Sequence, residues 1–84
     1  MVIHKYTIPR DGIASLPKGA VILSTAFQGA TLCLWAMHNG GPFVHRRMVI
    51  LATGEQHASD NAAFVGTVHK DGFVFHIFDR GEVA

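Results

Sequence analysis

His69 and His76 stand seven residues apart in the stretch GTVHKDGFVFHIFDRG (66–81), on either side of Asp71-Gly72. Two imidazoles so placed could hold a metal ion or share proton-transfer work. Asp-Gly between β-forming runs favours a type I′ hairpin, because both central residues need positive φ. That turn sets Lys70 opposite Phe73, His69 opposite Val74, Val68 opposite Phe75 and Gly66 opposite Ile77. One face then carries Phe64, Val68, Phe73, Phe75 and Ile77, and is the expected core face. The other carries Val65, Thr67, His69, Val74, His76 and Phe78. The two histidines share that second face as a diagonal pair roughly 7–8 Å apart at Cα. A zinc site takes three or four protein ligands, and this face of the hairpin offers no Cys, Asp or Glu. They are therefore read as residues of a half-exposed sheet face, with a pH-sensitive contact surface as its functional version. No metal is expected.

The remaining chemistry-bearing residues are equally short of partners. Cys33 lies between Leu32 and Leu34, far from the helix N-terminus or positive charge that makes a thiolate, so it reads as packing. Ser24 and Ser59 lack a G-x-S-x-G elbow. Glu55, His57 and Asp60 cluster in the segment 53–61, where a carboxylate could meet an imidazole or all three could be solvated. The run ATGEQ has no phosphate-binding pattern. His45, Arg46 and Arg47 form the one dense cationic spot. On a strand Arg46 points away from the other two, and a cationic group split between two faces reads nucleic acid poorly without stacking aromatics beside it. Arginine's planar fork suits an acidic protein surface instead. The sequence thus predicts no catalytic residue, no cofactor and no enzyme.

The elements that position these residues are strands. Segments 2–8, 20–28, 30–38, 43–52, 62–69 and 73–79 are β-branched or alternating and are separated by Gly- and Pro-bearing turns. No stripe at helical spacing persists, and at most one short helix is expected near 57–63. In the segment IASLPKGA (13–20) no strand is expected: Leu16 plugs into the core, while Pro17, Lys18 and Gly19 turn the chain. The expected fold is mainly β, a single small antiparallel sheet of five to six strands, curled or barrel-like. Residues 1–84 make one domain.

Composition sets further bounds. The chain is 49% hydrophobic and 15% charged, against about 25% charged in ordinary soluble domains. Some apolar surface is therefore expected at an interface. Around a Gln28-Gly29 turn, one side holds Val21, Leu23, Phe27, Leu32, Leu34 and Ala36, and the other Ile22, Ala26, Cys33, Trp35 and Met37. Apolar groups on both sides call for a closed barrel, a homodimer or a partner surface near Trp35 and Met37. Net charge is +1, which argues against nucleic acid as a direct partner. The opening MVIHKYTIPRDG has no secretory pattern and no run reaches membrane-span length. With one cysteine, the chain suits a reducing cytoplasm.

The segments KYTIP, LPKGAVIL (16–23), LCLWAM (32–37), ATGE (52–55) and FVGTVHKDGFVFHIFD (64–79) together resemble a family of small phage and prophage proteins known only as a domain of unknown function. The resemblance spans nearly the whole chain, and HNGGPFVHRR (38–47) is its most individual part. It carries no site residues. It implies a non-enzymatic accessory protein, working inside the bacterial host by binding a host protein complex. An antagonist of bacterial defence is the leading class, such as an anti-CRISPR-like inhibitor of a CRISPR–Cas effector. The alternatives are a protein that sequesters a small ligand or nucleotide, and a minor virion or assembly part. Contacts are expected from His45, Arg46 and Arg47 on the fourth strand, and from His69, His76 and Phe78 on the final hairpin, since arginine and aromatic side chains dominate interfaces.

Overall fold

A computed structural model describes residues 1–56 and 61–83. Its strands are β1 (Val2–Thr7), β2 (Ile13–Pro17), β3 (Val21–Gln28), β4 (Thr31–His38), β5 (Phe43–Ala52), β6 (Ala63–Lys70) and β7 (Phe73–Glu82). The mainly β, antiparallel expectation holds, but the single sheet does not. β1-β4-β3 form one sheet and β2-β5-β7-β6 a second. A molecule 18 Å across its shortest axis is two layers thick, since packed sheets lie about 10 Å apart. The edges of β3 and β6 pass side by side without a ladder, so the two layers do not close into a barrel. Among the described residues there is no helix; of the expected 57–63 turn, residues 57–60 lie outside them.

The expected turn is present at Lys18 and Gly19, but the residues before it form a strand, β2, that the sequence reading lacks, and Pro17 ends that strand. Pro17 disguises it, yet β2 is a sheet edge, where a missing N–H costs little. Its register, Ile13 opposite Arg47 through Pro17 opposite Phe43, buries Ala14 and Leu16 completely.

The core lies between the sheets. Leu32, Leu34 and Ala36 of β4 face Ala14, Leu16, Met48, Val68 and Ile77 from the other layer. Two bulges decide which residues reach it. Leu23 is the extra residue between Ile22–Ala36 and Ser24–Trp35. Because side-chain direction alternates residue by residue, one insertion reverses the faces on either side of it. Ile22 therefore packs on the core, while Val21 and Leu23 are about half exposed, the reverse of the alternation expected for these three. Val65 is the extra residue between Phe64–Phe78 and Gly66–Ile77. It turns inward and Phe64 outward, 61% exposed. The hairpin register from Gly66 to Phe73 is as the Asp-Gly turn dictates.

At Gly66 the two sheets approach closely. A Cβ there would stand 3.1 Å from Thr25 Cγ2. Gly66→Val is therefore expected to cost about 1–3 kcal/mol through overpacking. Adding Thr25→Ser, which removes the methyl but keeps the hydroxyl that donates to the Cys33 carbonyl, should return part of the loss in a denaturant titration.

Candidate functional site

The outer face of the four-stranded sheet collects most of the residues singled out from the sequence. Strand parity fixes this. Ala14 pairs with Arg46 and is buried, so its neighbours on both strands point out: Ile13 opposite Arg47, and Ser15 opposite His45. Further along, Val49 pairs with Phe78 and Phe78 with Phe64; Leu51 pairs with His76 and His76 with Thr67; Val74 pairs with His69. His45, Arg47, His69, His76 and Phe78 thus share one surface. Phe64 joins them, packed edge-to-face on Phe78 at 5.6 Å. Glu82 lies beside Arg47 at one end of this surface, and among the described residues the strands place no carboxylate in the rows from Phe78 to His69. The surface is cationic and aromatic.

Its members are not equally available. His76 lies between two hydroxyls, with Nε2 2.8 Å from Thr53 Oγ1 and Nδ1 3.1 Å from Thr67 Oγ1. Both ring nitrogens are engaged, so the ring is held in place. His45, Arg47 and His69 are exposed.

Arg46 is placed elsewhere. Its guanidinium points between the sheets, pairs with the Asp79 carboxylate and donates to the Ala20 carbonyl. The two side chains are 14% and 12% exposed. Asp79 also accepts from the Gly81 N–H at 2.8 Å. A guanidinium with so little exposure needs such partners, and while it has them it is not a surface contact. Of the Glu55, His57 and Asp60 group, His57 and Asp60 lie outside the described residues. Glu55 accepts from the Ala52 N–H at 3.0 Å, as a turn-capping side chain.

A second cluster had no local signal in the sequence. β1 pairs with β4, not with its chain neighbour, and this sets His4 and Tyr6 beside His38 on the inner face of the three-stranded sheet. His38 Nε2 is 3.1 Å from His4 Nδ1 and 2.9 Å from the Tyr6 hydroxyl. Phe43 stacks edge-on against Tyr6 at 6.1 Å. The spacing of these donors invites a metal reading, and the hydrogen bonds decide against it. The Gly40 N–H donates to His38 Nδ1 at 3.0 Å, which assigns the neutral-ring proton to Nε2. Nε2 then donates into the cluster rather than offering a lone pair. The same bond ties His38 to the 39–42 turn. Among the described residues no group of three or more His, Cys, Asp or Glu side chains could hold a metal.

The outer face of the three-stranded sheet is mostly apolar. Ile3 and Val21, each more than half exposed, flank Met37. Lys5 spans β4 to reach Gln28 Oε1 at 2.7 Å, and Cys33 is buried on this side. No helix of the described residues is long and apolar enough to cross a membrane.

A family model described as Domain of unknown function (DUF7352) matches residues 1–84. No curated protein matches the chain, and no solved structure does.

Proposed function

The chain belongs to the DUF7352 family, whose function is unknown, and we propose that it acts by binding another protein through the outer face of its four-stranded sheet. The observation that supports this most is the placement of Arg47, His45, His69 and His76 on one face with the Phe64–Phe78 pair. Exposed aromatic and arginine groups are the usual anchors of an interface. Arginine prefers a carboxylate partner that it can grip with two parallel hydrogen bonds. The matching surface is an acidic protein patch with an apolar centre, and the role is non-enzymatic.

The setting we propose rests on the resemblance to small phage and prophage proteins. The chain is an accessory protein of the bacterial cytoplasm that occupies a host complex, with a CRISPR–Cas effector as the leading class of target. Arg47→Ala and Phe64→Ala are each expected to weaken such a complex by at least about tenfold, the effect of an ordinary interface anchor. Both side chains are exposed, so melting temperature should stay near that of the parent chain. Titrating each variant against the captured host protein measures this, and unchanged affinity in both would remove the face from consideration.

A further inference from the structure

At the opposite end of β4 from His38, the sheets part and leave an open groove of about 370 Å³. Its walls come from both layers. Phe27 and Leu32 belong to the three-stranded sheet, and Ile50 and Phe75 to the four-stranded one. Phe27 meets Phe75 edge-on at 6.2 Å across the gap. The rim is the turn after β1, and it carries Arg10. Among the described residues no carboxylate lines the groove, and Arg10 is an exposed guanidinium that pairs with no side chain of theirs.

A mostly apolar slot with a few polar groups, here Thr7, Thr31 and the one charged group Arg10, is the general form of a small-molecule site, and its volume falls in the lower part of the usual range, about 300–1,000 Å³. The lone cation selects the charge of the occupant. A nucleotide's phosphates would need several cations or a nest of N–H groups, whereas one guanidinium matches one carboxylate. The aromatic and aliphatic walls select an apolar tail. We propose that this groove binds a small apolar monocarboxylate, with its tail laid along the Phe27–Phe75 pair and its carboxylate on Arg10. The site is separate from the outer sheet face, and either could exist without the other.

The test uses the full chain, labelled with ¹⁵N, and two probes of equal tail length: octanoate below its micelle concentration, and 1-octanol. Octanoate should give saturable shifts at Leu32, Ile50 and Phe75 and leave Arg47 and His69 still. Octanol should bind about tenfold more weakly, the expected loss of a charge-assisted hydrogen bond. Arg10→Ala should reduce octanoate affinity to that of octanol, leave octanol unchanged and preserve the spectrum of the free protein. Equal affinity for the two probes, shifts confined to the outer faces, or no saturable shift with octanoate would each overturn the proposal.

Discussion

Asp79→Ala is expected to destabilise the fold by about 3–5 kcal/mol, because it leaves the Arg46 guanidinium between the sheets without its counter-charge. A domain of this length has total stability on the order of 4–13 kcal/mol, so the loss is a large fraction of the whole. The Ala20 carbonyl remains as an acceptor for Arg46, but it carries no charge, and the Gly81 N–H loses its acceptor. Removing both ionic partners should be far milder. The double change Arg46→Met with Asp79→Leu replaces an ion pair with apolar volume, which is often neutral or stabilising in a buried setting. Urea titration of the three chains checks this. An Asp79→Ala chain within about 1 kcal/mol of the parent would mean that the pair is hydrated and contributes little.

Gly12→Ala is expected to be as damaging, for a reason that lies in the backbone. Gly12 has φ of 81°, and a Cβ there would stand 2.5 Å from the Met48 carbonyl oxygen. The contact cannot relax cheaply, since Gly12 O accepts from the Met48 N–H at 2.7 Å and this bond ties the start of β2 to β5. Positive φ costs a residue with a Cβ about 1 kcal/mol or more, and the clash adds overpacking of about 1–3 kcal/mol. Gly19→Ala is the control. Its φ of 78° is similar, but nothing lies within 4 Å of the added Cβ, so only the conformational cost remains. Thermal melts should separate the pair by about 5 °C or more. Equal losses would show that φ alone, and not the approach of Met48, makes glycine necessary at position 12.

What the sequence discloses here is local. Asp71-Gly72 specifies the β6–β7 register from Gly66 to Phe73, because a two-residue turn leaves a single in-phase pairing. Alternation along β5 separates Arg46 from His45 and Arg47, as the structure has it. What escapes is set by residues distant in the chain. Arg46 looks like a contact residue until Asp79, thirty-three positions later, is brought beneath it. The bulges at Leu23 and Val65 have no marker in composition, yet each exchanges core and surface residues. His4, Tyr6 and His38 meet only because β1 pairs with β4. The second sheet was hidden for the same reason: β5 pairs with β2 and β7, and nothing in a hairpin-by-hairpin reading says where one sheet ends.

The most direct test of the proposed role is comparative capture from bacterial lysate with three tagged chains. These are the parent, Arg47→Ala with Phe64→Ala on the outer face of the four-stranded sheet, and Ile3→Lys with Val21→Lys on the outer face of the three-stranded one. All four positions are exposed, so folding should survive in each. The expected result is one host protein complex that comes down with the parent and the Ile3/Val21 chain and is lost from the Arg47/Phe64 chain. Capture that is equal across all three, or that fails only in the Ile3/Val21 chain, would contradict the claim that the cationic, aromatic face is the working surface of this protein.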